Sequence, residues 1–71
     1  MDREIINSEM IQSFGYDAEN GILEIEFRKG GSIWQYYEFA EISWNEFYNA
    51  ESRGRHFLQN IRGQYREARI G

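Results

Sequence analysis

The chain contains no cysteine and no proline, and it has one lysine and one histidine in 71 residues. Without cysteine there can be no disulfide and no thiolate-built zinc site. A thiol nucleophile is excluded on the same ground. Cysteine-free composition fits a cytosolic protein, and a cytoplasmic location is expected. No apolar run is long enough to span a bilayer. Met1-Asp2-Arg3-Glu4 begins a segment without the apolar stretch of a secretory leader. No glycine pattern of a phosphate-binding loop occurs. The lone His56 has no partner pattern around it, and catalysis is not expected. No metal or cofactor is implied.

Aromatic residues are plentiful. Twelve of them, from Phe14 to Tyr65, supply large apolar area on side chains with few rotatable bonds. A chain this short makes one domain with a small core, so its stability must come from packing these rings. Charge is unevenly placed. Residues 1–51 carry 3 basic and 11 acidic side chains, whereas residues 52–71 carry Arg53, Arg55, Arg62, Arg66 and Arg69 against Glu67 alone. The net charge of −4 argues against nucleic acid; the arginine-rich end argues for it.

Residues 1–8 read as a flexible lead, residues 9–66 as the domain and 67–71 as a tail. Three strands are expected: Glu9–Asp17, Ile22–Arg28 and Ser32–Phe39. In the second, Leu23, Ile25 and Phe27 alternate with Glu24, Glu26 and Arg28. Two-residue turns at Asn20-Gly21 and Gly30-Gly31 would connect them, because these residues tolerate positive φ. Such turns set Tyr16 opposite Ile25, Phe14 opposite Phe27, and Phe27 opposite Trp34. Phe14, Tyr16, Leu23, Ile25, Phe27, Trp34 and Tyr36 then share one face. Asp17, Glu24, Glu26, Arg28, Gln35 and Tyr37 fall on the other, which reads as acidic and wet.

Beyond Phe39 the period changes. Ser43-Trp44-Asn45-Glu46 has the form of a capping box, giving a short helix from about Trp44 to Glu51. A second helix should begin near Gly54 and run toward Tyr65 or beyond. Its apolar stripe is Phe57, Leu58, Ile61, Tyr65 and Ala68. Arg55, Gln59, Arg62, Arg66 and Arg69 form another narrow sector, provided the helix continues through Gly63. If it stops there, Arg66 and Arg69 lie on a mobile tail. The expected fold is α+β: a three-stranded antiparallel meander followed by two helices packed on one face.

Several segments together resemble one family: Phe14-Gly15-Tyr16-Asp17, Leu23-x-Ile25-x-Phe27, Trp34-Gln35-Tyr36, Ala50-Glu51-Ser52-x-Gly54-x-x-Phe57 and Ile61-Arg62-x-x-Tyr65. They look like the KTSC domain, and the resemblance covers about residues 9–66. The family is named for a domain at the C-terminus of some lysyl-tRNA synthetases, and it also occurs as short stand-alone bacterial and phage proteins. Trp34 stands where the family's central Tyr-x-Tyr has its first tyrosine. The synthetase context implies RNA binding.

Each candidate site has two readings. Trp34 and Tyr36 could stack bases on an open sheet, but the expected register puts them in the core. The arginines at 55, 62, 66 and 69, with Arg53 at the helix start, could contact phosphates or form a solvated face paired with the acidic body. Arg62 could also pair with Glu51. Ser52-Arg53-Gly54 could be an anion nest, or simply a helix cap with Ser52 as N-cap. Asp17, Glu24 and Glu26 could gather a hard cation, although regular ligand spacing is missing. Trp34, Tyr36, Ser52, Gly54, Phe57, Ile61 and Tyr65 are read as structural. Two functions stay open. One is an RNA-binding module using the arginines. The other is a protein-interaction or oligomerisation module, monomer or weak homodimer, using sheet edges and exposed aromatics such as Tyr37, Phe39 or Trp44.

Overall fold

Alternation of apolar and acidic residues places Ile22–Phe27 at the centre of an antiparallel sheet, with Leu23 and Ile25 fully buried. The computed structural model describes residues 1–71. In chain order the elements are β1 (Glu4–Ile5), β2 (Ile11–Asp17), β3 (Ile22–Phe27), β4 (Ile33–Tyr36), α1 (Glu41–Tyr48), α2 (Arg53–Asn60) and β5 (Glu67–Arg69). The strands form one sheet in the order β1-β2-β3-β4-β5, every neighbouring pair antiparallel. The α+β meander with two helices on one face is as expected. The sheet, however, has five strands rather than three.

The register differs from the expected one by two residues. Tyr16 faces Leu23, Phe14 faces Ile25, and Ile25 faces Trp34. Both turns hold four residues, not two. The first closes because Asp17 Oδ1 accepts the backbone N–H groups of Glu19 and Asn20, which ends the ladder at Asp17–Ile22. Hydrogen bonds from the Asn20 side chain, then from the Asn20 and Glu19 backbone, hold the Asp17 carboxyl below its ordinary range. The second turn is closed by Phe27 N–H donating to the Ser32 carbonyl at 2.9 Å, with Gly30 and Gly31 at φ 79° and 66°. A slip of two leaves every side chain on its original face, so the expected apolar face survives.

One position does change face. A bulge lies between Ile11, opposite Phe27, and Ser13, opposite Glu26. The extra residue turns Ile11 into the core, where it is completely buried, while Ser13 keeps to the polar face.

The core gathers Ile6, Ile11, Phe14, Leu23, Ile25, Tyr36, Phe39, Phe47, Phe57 and Ile61. Helix α1 covers β2: Phe14 meets Trp44 at 4.8 Å and Phe47 at 5.1 Å between ring centroids. Helix α2 covers β3 and β4, with Phe57 at 5.3 Å from Phe27 and 5.7 Å from Tyr36. These edge-on pairs are the favoured aromatic geometry. Phe39, expected among the exposed aromatics, is buried, and Trp44 is half-buried against the core.

Helix α1 begins and ends earlier than expected, whereas α2 begins as expected and ends early. Helix α1 starts at Glu41 with Ala40 as its N-cap and no side-chain cap, so the Ser43–Glu46 box is unused. The entry is fixed by tertiary bonds instead: Phe39 N–H donates to the Gly21 carbonyl, and the Tyr16 hydroxyl donates to the Phe39 carbonyl. Helix α2 does have Ser52 as its N-cap, Oγ accepting from Arg55 N–H at 3.3 Å. It ends at Asn60. Arg62 N–H closes back on the Phe57 carbonyl, and Gly63 takes φ 75°, which reverses the chain toward β5. The helix never reaches Arg66 or Arg69.

The N-terminal lead is not a lead in structure. Glu4 and Ile5 pair with Phe14 and Ser13, and Ile6 is buried. Gly15 explains how this segment lies so close: a Cβ there would collide with the Asp2 carbonyl oxygen. The C-terminal tail likewise becomes a strand, Arg69 opposite Trp34 and Glu67 opposite Tyr36.

Candidate functional site

The expected arginine sector is dispersed. Arg53 donates from Nε and Nη2 to the Tyr48 carbonyl at 3.1 and 2.7 Å, and its guanidinium lies 5.1–5.2 Å from the Tyr48 and Phe14 ring centroids. It joins α2 to the end of α1, a fixed position stabilised by cation–π contact. Arg55 and Arg62 are exposed, and neither pairs with a carboxylate; the Arg62–Glu51 pair does not form. Arg66 lies beyond α2, stacked 5.2 Å over the Tyr37 ring on the helix-free side of the sheet. Arg69 sits on β5, its Nε donating to the Gly71 carbonyl at 2.8 Å. Termination at Asn60, with the chain reversal at Gly63, thus sends Arg66 and Arg69 to a sheet edge rather than to a helix face or a mobile tail.

The residues quoted for the family motif fall mostly in or beside the core. Phe57, Ile61 and Tyr36 are buried, Trp34 is half-buried, and Tyr65 packs 4.8 Å from Phe39. Burial first, and then the Glu67 carboxylate, push the Tyr36 hydroxyl above the ordinary tyrosine range, with Arg62 opposing. Gly54 lies against Met10, whose Cβ would be 3.4 Å from an added methyl. That approach sets α2 beside the β1–β2 connection. The open cleft between them, about 450 Å³, is lined by Arg53 and Arg55 but equally by Glu9 and Glu51. Its charge is mixed, so it is no dedicated anion site. His56 stacks on Phe47 at 5.4 Å and touches Asn60 through Nδ1 at 3.4 Å.

The polar face of the sheet differs most from the sequence reading. It is neither wet nor simply acidic at its centre. Glu24 is 4% exposed and Ser13 3%. Arg3 reaches across from the N-terminal segment to pair with Glu24, and its Nε donates to Ser13 Oγ at 2.9 Å. Ser13 Oγ donates to Glu26 Oε1 at 2.9 Å, and Gln35 Nε2 donates to Glu24 Oε1 at 2.8 Å. The Tyr37 hydroxyl donates to Gln35 Oε1 at 3.0 Å. No buried side-chain nitrogen or oxygen lacks a partner. With Glu24 and Glu26 engaged this way and no group of three metal-ligating side chains gathered anywhere, the Asp17–Glu24–Glu26 cluster does not form.

Beside this polar centre the same face carries several apolar side chains along with Arg28 and Arg66. Ile5 pairs across from Ser13, Ile33 from Glu26 and Ala68 from Gln35, which fixes their side. Ile70 donates its N–H to the Ile33 carbonyl and stands beside it. Ile5 is 74% exposed and Ile70 51%. Neither helix covers them. Arg3, Ser13, Ile5, Ile33 and Ile70 were not singled out from the sequence. One signal was available: a glycine inside a strand, here Gly15, marks the close approach of another backbone.

A family model for the KTSC domain matches residues 7–65. The chain belongs to the KTSC family. This KTSC domain is 38% identical over 71 residues to an uncharacterised protein of Stutzerimonas stutzeri (strain A1501), covering 99% of each. It is also similar to the crystal structure of a KTSC domain protein from Yersinia pestis, with a TM-score of 0.93 and 38% identity, covering 99% of this chain and 97% of that one. No helix of the KTSC domain is long and apolar enough to cross a membrane.

Proposed function

We propose that this KTSC domain is a protein-interaction module that works through the helix-free face of its sheet and the adjoining edge. One observation carries the reading. The charged centre of that face is already paired through Arg3, Glu24, Ser13 and Gln35, while Ile5 and Ile70 stand exposed beside it, with Ile33 half-buried and Tyr37 half-buried under Arg66. Covering such a surface removes apolar area from water without leaving a buried charge unpaired. A wet acidic face would incur a large desolvation penalty for the same contact.

The RNA reading loses its geometry once Arg53, Arg66 and Arg69 are held at separate places. It retains Arg55 and Arg62. The two readings separate in one set of experiments. Partners captured by the domain should be lost with Ile5→Asp or Ile70→Asp and kept with Arg55→Glu/Arg62→Glu. Amide shifts in residues 52–69 should not saturate with tRNA at low salt. Saturable shifts abolished by removing the two arginines would overturn the proposal in favour of RNA, and capture indifferent to both face variants would overturn the assignment of the helix-free face.

A further inference from the structure

Strand β5 is an edge with unused hydrogen-bonding groups and unpaired charges of both signs. Arg66 and Ile70 bond toward β4, through Tyr37 N–H to the Arg66 carbonyl at 2.9 Å and Ile70 N–H to the Ile33 carbonyl at 2.8 Å. In an antiparallel ladder such residues alternate. The backbone groups of Glu67 and Arg69 therefore point away from the sheet. Their side chains share the helix side, since they lie opposite Tyr36 and Trp34. Neither side chain faces an opposite charge in the chain; Arg69 makes one hydrogen bond, from Nε to the Gly71 carbonyl, and its two Nη groups make none. At the opposite edge, β1 is only two residues long, so β5 is the more open of the two.

We infer that β5 pairs antiparallel with β5 of a second copy about a two-fold axis at Ala68, joining two sheets into one. The inference rests on the interaction-module reading and narrows it to a partner and a strand. Only three two-fold registers let the outward groups of β5 bond each other: those centred on residue 67, 68 or 69. Centring on 67 sets Glu67 against itself, and centring on 69 sets Arg69 against itself. Centring on Ala68 sets Glu67 against Arg69 of the second copy, twice by symmetry, in pairs that exchange both backbone hydrogen bonds. Each charge unpaired in the monomer thereby gains an opposite charge. Ala68 meets its symmetry mate in the closely spaced type of pair, where a methyl group fits. β5 also carries none of the lysine or proline that commonly protects edges. Ile70 and Gly71 both donate to the Ile33 carbonyl, an irregularity that ends the strand and keeps the contact short. The association is therefore weak and concentration-dependent.

Sedimentation from micromolar to millimolar concentration tests this. The weight-average mass should climb toward twice the 8.5 kDa of the single chain. Glu67→Arg and Arg69→Glu each create two like-charge pairs and should weaken association roughly tenfold or more. Glu67→Arg/Arg69→Glu together should restore it. Mixing the two single variants should also give a dimer, because a strand with arginine at both positions then faces one with glutamate at both; this arm shows that both variants remain folded. A wild-type chain that stays monomeric at millimolar concentration overturns self-pairing. So does failure of both the double reversal and the mixture to associate. Either failure leaves the capture results with the Ile5 and Ile70 variants to judge the interaction-module reading separately.

Discussion

Replacing Arg3 by methionine keeps a long apolar stem over the sheet but removes the cation that pairs with Glu24. The Glu24 side chain is 6% exposed and that of Arg3 24%. Stripping one partner from a buried ion pair costs ~3–5 kcal/mol, because the remaining charge is left desolvated. Here the vacated side is partly open to water, and Gln35 still donates to Glu24. The expected loss is therefore about 2–3 kcal/mol, set against a total of about 4–10 kcal/mol for a domain of this length. With a urea slope of about 1 kcal/mol/M for so small a protein, the midpoint should fall by about 2 M. Tryptophan fluorescence reads the transition, since Trp44 packs against Phe14. Arg3→Met/Glu24→Gln replaces the pair by a methionine stem and a neutral amide. It should be more stable than Arg3→Met alone, with a coupling of about 1–2 kcal/mol. A midpoint shift below about 0.5 M for Arg3→Met, or strict additivity in the double variant, would refute the claim that Glu24 depends on Arg3.

Three further outcomes are expected. Gly15→Ala should release the N-terminal strand, because its methyl group would collide with the Asp2 carbonyl; hydrogen exchange at residues 2–6 should accelerate, with a stability loss of about 1–3 kcal/mol. Phe47→Ala, at a fully buried site beneath Phe14 and Trp44, should cost about 3–5 kcal/mol and leave a shallow, low-temperature melt by circular dichroism. The raised Tyr36 hydroxyl favours the neutral form in the fold, so its contribution is intact below the unfolded tyrosine value of about 10 and declines as pH rises above it. Urea midpoints should fall above that pH, and Tyr36→Phe should flatten the fall.

Faces proved easier to read than registers. The expected two-residue turns are wrong, yet a four-residue turn slips the ladder by an even number and so keeps Phe14, Leu23, Ile25 and Tyr36 inward. Ile11 escaped the pattern because a bulge is a one-residue change, and only odd changes exchange faces. The Ser43–Glu46 box was a sound local signal overridden by distant bonds to Phe39. Gly63 was the decisive residue for the candidate site. By propensity alone a glycine in a helix costs about 1 kcal/mol, which does not say whether the helix stops. Tertiary pairing of β5 with β4 decides that. Arg3 lay in a segment too polar to display a strand pattern, and its role depends on Glu24, distant in sequence and adjacent only once the sheet exists.

The strict β1-to-β5 order has a kinetic consequence. Strands β2, β3 and β4 each lie beside their immediate predecessor in the chain, so most of the sheet closes through short loops and should assemble quickly. Strand β5 alone must wait for the whole α1–α2 excursion before it can dock on β4. The edge most open to another strand should thus be completed last. A partner that recognises it should therefore meet a chain whose folding is already finished, which would separate assembly from folding in time.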